Sequence, residues 1–146
     1  MRSLADFVGR WRLEREIEDF CNSGQLSQFS GAASFSTAAD GLDYYETGVL
    51  RLGQAAGMKA ERRYAWRASG GLIAVYFDDG RYFHAFDPAA DETRALHNCD
   101  PDNYSVHYQF GDWPCWQATW NVRGPRKNYR MTSRFAPAGS RAGETA

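Results

Sequence analysis

From Trp11 to Phe135, apolar residues recur at every second position, in short segments broken by turns that often contain glycine. A period of two sends successive side chains to opposite faces of an extended strand, so this pattern commits the chain to sheet. Trp11, Leu13, Arg15 and Ile17 make one such face, with Arg12, Glu14, Glu16 and Glu18 behind it. Phe29, Gly31, Ala33 and Phe35 make the next. Asp40-Gly41 then reads as a two-residue hairpin turn. That turn would pair Phe35 with Glu46, Ala33 with Gly48 and Gly31 with Leu50. Tyr44, Glu46, Gly48, Leu50 and Leu52 would look inward, followed by Met58, Ala60, Arg62, Tyr64 and Trp66. Further strands are expected at 72–77, 81–86, 93–98, 104–110, 115–122 and 127–135. Ahead of them, Ser3 and Asp6 have the spacing of a capping box, predicting one short N-terminal helix ended by Gly9.

About ten sequential antiparallel strands remove their exposed edges most simply by closing, so the expected fold is all-β, an up-and-down antiparallel barrel. A two-sheet sandwich is the competing layout. The 146 residues suffice for one domain, expected over 1–136, with 137–146 as a loosely ordered tail. Aromatic residues make up 15% of the chain, which favours sheet and supplies large inward side chains.

Several function classes are disfavoured. No apolar run is long enough to span a bilayer, and the N-terminus lacks a secretory h-region, so no membrane insertion is expected. Cys21, Cys99 and Cys115 are odd in number and lack CxxC spacing, which predicts thiols in a reducing cytoplasm. A net charge of -1 argues against a general nucleic-acid binder. No phosphate loop, dinucleotide fingerprint, nucleophile elbow or HExxH is present, and no cofactor is expected.

Gly9-Arg10-Trp11, after a short helix and at the head of the first strand, resembles the G-x-W signature of lipocalins and their calycin relatives. The resemblance implies that Trp11 plugs the closed end of the barrel and that a late basic residue, Arg130 or Arg134, packs across it. A longer succession covers nearly the whole chain. It runs through Gly31-x-Ala33-x-Phe35, Tyr45-x-x-Gly48, Arg63-Tyr64-x-Trp66 and Phe83-His84. It continues through His97-x-Cys99-x-Pro101-Asp102-x-Tyr104 and Gly124-Pro125-x-Lys127-x-Tyr129. Together these are similar to a small bacterial family of uncharacterised lipocalin-like proteins.

Arg15, Glu46 and Arg62 fall on inward faces, where an unpaired charge is costly. They are either a structural Arg–Glu–Arg cluster or a polar floor for a ligand's anionic or carbonyl group. Tyr64, Tyr108 and Tyr129 would add hydroxyls, and Trp66, Trp116 and Trp120 stacking walls, with Lys127 beside Tyr129 at the mouth. His84 has two placements. A two-residue Asp79-Gly80 turn sets it beside Val75 and Phe77, and a bulged turn beside Ala74 and Tyr76. The 72–86 hairpin is apolar on both faces, which leaves its outer face for the helix or for a second subunit of a homo-oligomer. His97 and Cys99 share a face, but their spacing matches no structural zinc pattern, and no metal site is expected. The basic run Arg123 to Arg134 is a solvated turn or a rim that attracts an anion.

The reading is a lipocalin-like protein that binds a small, partly apolar molecule with a polar or anionic end. The alternative is an enzyme on the same barrel with His84 or His97 as general acid–base. Sequence leaves open the ligand, catalysis, the oligomeric state and the reactivity of Cys99.

Overall fold

The computed structural model describes residues 1–139. Ten strands form one antiparallel sheet: β1 Gly9–Asp19, β2 Gln25–Ala38, β3 Gly41–Leu52, β4 Met58–Ser69 and β5 Leu72–Phe77. They continue as β6 Tyr82–Phe86, β7 Glu92–Cys99, β8 Asp102–Gln109, β9 Trp116–Arg123 and β10 Asn128–Pro137. Each strand pairs with its neighbours in sequence except β6 with β7, and β1 also pairs with β10, from Trp11 opposite Pro137 to Asp19 opposite Tyr129. The ring is nearly closed: among the described residues no hydrogen-bonded ladder joins β6 to β7. This is the up-and-down antiparallel barrel expected from the alternation.

The N-terminal helix is a single 3-10 turn, Leu4–Phe7, and a second such turn spans Phe20–Asn22. The Ser3 N–H donates to Asp6 Oδ2 at 2.8 Å, so the capping residues act as expected on a shorter element. Its purpose in the fold is to deliver Phe7. That ring is fully buried, with centroids 5.0 to 5.8 Å from Phe35, Trp66, Phe110, Trp113 and Trp116. The Trp11 indole N–H donates to the Phe7 carbonyl at 2.9 Å and completes this closed end.

The late basic residues do not cover Trp11. Arg130 lies over Phe20 and donates to Asn121, and Arg134 is exposed. Both alternate with the inward Tyr129, Met131, Ser133 and Phe135, so the pleat turns them outward. At this end of the barrel the packed guanidinium is that of Arg2, 4.8 Å from the Phe110 ring and 4.9 Å from Trp113, which in turn packs on Trp11.

Two registers differ instructively from expectation. The β2–β3 loop is Ala39-Asp40, with Ala38 opposite Gly41, so Ala33 pairs with Glu46, Phe35 with Tyr44 and Gly31 with Gly48. Moving a two-residue loop by one position moves the pairing by two, so every inward residue stays inward. Gly31 and Gly48 have no room for a Cβ: it would strike the backbone oxygen of Thr47 or Ser30 across the pair. That close approach lets the two strands curl around the barrel.

The β5–β6 turn has three residues between Phe77 and Arg81, one more than expected. A bulge at Phe83 takes up the extra residue, since Tyr76 faces Tyr82 while Val75 faces His84. Phe83 and His84 are consequently both buried, which explains why the hairpin is apolar at adjacent positions. Of the segment expected as a tail, 137–146, the structure describes only the first three residues. Pro137 ends β10, Ala138 N–H bonds to Arg10, and residues 140–146 lie outside the described residues.

Replacing Phe7 with Ala should cost about 3–5 kcal/mol, the usual penalty for deleting a buried ring. Urea unfolding of the variant measures it; a loss under ~1 kcal/mol would mean that the 3-10 turn does not seal the barrel.

Candidate functional site

Inside the barrel lies a cavity of about 270 Å³, just below the ~300 Å³ at which ordinary ligand pockets begin. Trp66, Trp116, Tyr108 and His84 line it on the side of the Phe7 plug. Arg62, Tyr64, Tyr104 and Tyr129 line it toward the opposite end. Of the side chains expected to meet a ligand, Arg15, Glu46, Arg62, Tyr64, Trp66, His84, Tyr108, Trp116, Trp120 and Tyr129 all line this space. Lys127 does not.

Arg15 and Glu46 meet across three strands in a two-pronged pair, at 2.6 Å from Nη1 to Oε2 and 2.9 Å from Nη2 to Oε1. Arg15 Nε donates to Ser133 Oγ at 2.7 Å, and the Tyr44 hydroxyl donates to Glu46 Oε1 at 2.6 Å. Burial alone would lift the Glu46 pKa, but the bonds from Arg15 and Tyr44 outweigh it and hold the carboxyl below its ordinary range. Burial would likewise lower Arg15, and the Glu46 carboxylate more than restores it. Burial, with the Glu46 charge beside it, keeps Tyr44 protonated well above the usual phenol range. The pair is thus a satisfied, neutral buried unit. Tyr44 and Ser133 are not among the expected site residues, although both lie on the inward alternation of β3 and β10.

Arg62 is different. It stands directly opposite Glu46 on β4, yet it is exposed and makes no hydrogen bond or ion pair among the described residues. The expected trio therefore divides into a closed Arg15–Glu46 pair and an open Arg62 at the mouth. The lining keeps one formal positive charge there, since burial holds His84 neutral, with its pKa lowered to about 3.

His84 is 2% exposed and sits opposite Val75, with Nε2 2.8 Å from the Tyr108 hydroxyl. Burial raises the Tyr108 pKa, so this hydroxyl also stays neutral. His97 is not part of the cavity lining. It packs on Phe77 and Phe83 where β7 passes β6, with ring centroids 6.1 and 5.2 Å away. Lys127 donates to the Tyr104 hydroxyl at 3.1 Å and pairs with Asp102 at 3.3 Å, so it braces a mouth residue from outside. Those two partners raise its pKa. Asp102 thus ties β8 to the β9–β10 turn, where a Cβ on Gly124 would collide with its carboxylate. Arg123, Arg126, Arg130 and Arg134 are exposed around and beyond that turn.

A family model described as a family of unknown function, DUF6314, matches residues 7–137. The chain belongs to this family. Among solved structures, the chain is similar to the S-type phycobiliprotein lyase CPES from Guillardia theta, with 12% identity and a TM-score of 0.59. The match covers 94% of this chain and 92% of that one, and it shows a shared fold. A putative AttH from Nitrosomonas europaea matches at 13% identity and a TM-score of 0.28, over 86% of this chain and 48% of that one. No curated protein matches the sequence. Among the described residues no helix is long and apolar enough to cross a membrane.

The buried charges make two outcomes measurable. Arg15→Met alone should cost about 3–5 kcal/mol because it strands a buried carboxylate, whereas Arg15→Met with Glu46→Leu should recover most of that loss. A urea double-mutant cycle measures the coupling, and simple additivity would refute it. Second, unfolded His84 takes up a proton below about 6.5 and folded His84 only near 3. The unfolded state binds more protons between those values, so stability falls on acidification, by up to ~1.4 kcal/mol per pH unit. Glu46 acts in the same direction at lower pH: its contribution is full above about 4.5 and is lost as pH falls through its lower native value. Urea midpoints from pH 7 to 4 should show the slope, and His84→Phe should flatten it above pH 4.5.

Proposed function

We propose that this protein binds, inside its barrel, a small and partly apolar molecule with an anionic end. The observation that carries this reading is Arg62, an exposed guanidinium with no hydrogen-bond or ion-pair partner among the described residues, at the mouth of an aromatic-lined cavity. The Arg15–Glu46 pair answers its own charge, so an anion entering the mouth meets a net positive field from Arg62. Tyr64, Tyr104 and Tyr129 stand beside it as hydroxyl donors, and Trp120, Trp66 and Phe83 offer ring faces to an apolar body. The fold shared with a phycobiliprotein lyase supports a barrel and no particular ligand. Three unpaired cysteines, two of them exposed, support a reducing cytoplasmic setting.

A second reading, an enzyme working through His84, is favoured by the 2.8 Å contact with Tyr108 inside the cavity. A histidine that stays neutral down to about pH 3 is a poor acid at neutral pH, so binding is the better account.

Tryptophan fluorescence titration with naphthalene-2-carboxylate and its neutral amide tests the reading. Arg62→Leu should weaken the carboxylate about tenfold and leave the amide nearly unchanged. If neither compound binds, and native mass spectrometry of fresh protein shows no retained molecule, the proposal fails.

A further inference from the structure

Near the plugged end of the cavity, two ring nitrogens have no hydrogen-bond partner. His84 uses Nε2 for Tyr108, and its buried Nδ1 bonds to nothing. Trp116, 4% exposed, has a buried Nε1 in the same condition. Both residues line the cavity, and Tyr108 contacts both, with its ring centroid 5.8 Å from His84 and 6.5 Å from Trp116.

The protonation of this group follows from its surroundings. Burial holds the imidazole neutral and Tyr108 protonated. A neutral imidazole has one donor and one acceptor nitrogen. Tyr108 has no other hydrogen-bond partner among the described residues. The arrangement that strands the fewest groups therefore has Tyr108 donating to Nε2, which leaves the proton on Nδ1. Indole Nε1 is always a donor. This region therefore holds two N–H groups in need of an acceptor, a pairing failure that folded proteins seldom tolerate without a use.

We propose that the ligand carries a neutral carbonyl oxygen, remote from its anionic end, that accepts hydrogen bonds from His84 Nδ1 and Trp116 Nε1. A carbonyl oxygen has two lone pairs and so can accept from two donors. A carboxylate is a poor occupant here, because no unpaired cation accompanies the two donors and the neighbouring walls are aromatic. With Arg62 at the other end, the ligand class is an aromatic or acyl keto acid. This inference rests on the cavity-binding reading and specifies its ligand.

Two probes of matched shape decide it: 4-benzoylbenzoate, and 4-benzylbenzoate, in which a methylene replaces the carbonyl. Calorimetric titration of the full chain should find the ketone bound about tenfold tighter. The infrared carbonyl stretch of the bound ketone should lie below its value in an aprotic solvent. His84→Phe and Trp116→Phe should each shrink the preference to about threefold or less. Equal affinities with an unshifted carbonyl would overturn the inference and leave cavity binding intact. Binding of neither probe would overturn the cavity reading and this inference with it. The wild-type comparison and the infrared shift stand even if a variant fails to fold.

Discussion

The antiparallel joint between β1 and β10 brings the two ends of the sequence together and turns a meander of hairpins into a ring. Without it, the aromatic inward faces of ten strands would form one side of an open, twisted sheet with nothing opposite them. With it, Arg15 on β1 reaches Ser133 on β10, and Phe7 at the head of the chain packs on Trp116 of β9. Closure requires contacts between residues more than a hundred positions apart, an entropic cost set against the burial of twelve of the 22 aromatic residues. The Phe7 plug then shuts one end, so that space left inside is a cavity with one mouth.

Charge inside that cavity is controlled by pairing. Arg15 and Glu46 are desolvated together, and their hydrogen bonds to each other, to Tyr44 and to Ser133 offset the cost of taking both from water. The pair adds no net charge. Arg62, one strand away, consequently sets the sign of the mouth. Lys127 strengthens that sign only at a distance, because Asp102 already pairs with it.

Much of this is legible in the sequence because a two-residue period survives small errors. The β2–β3 register differs by two residues from the one the Asp40-Gly41 turn implies, yet Phe35, Glu46 and Tyr44 stay on the inner face. The same parity rule, applied to β10, turns Arg130 and Arg134 outward, against the cover over Trp11 that the lipocalin resemblance implies. The placement of His84 is harder to read, because a three-residue turn and a bulge at Phe83 compensate one another. Neither leaves a signature in a hairpin whose strands are apolar on both faces. Arg2 has no local signal as a closing residue, since its stacking partners Phe110 and Trp113 arrive from the far end of the chain.

By itself, the sequence determined about ten strands joined as a meander and which side of most of them is buried, the 72–86 hairpin excepted. Those properties are local: alternation and turn chemistry depend on residues a few positions apart. It also put Arg15, Glu46 and Arg62 on a common inner surface. Only the tertiary structure decided that Glu46 belongs to Arg15 and leaves Arg62 open. That choice depends on how far each side chain stands from the mouth and how much water it keeps. The two unpaired nitrogens of His84 and Trp116 are equally a tertiary fact. Whether a buried donor finds an acceptor depends on every strand that surrounds it, and no segment of sequence contains that information alone.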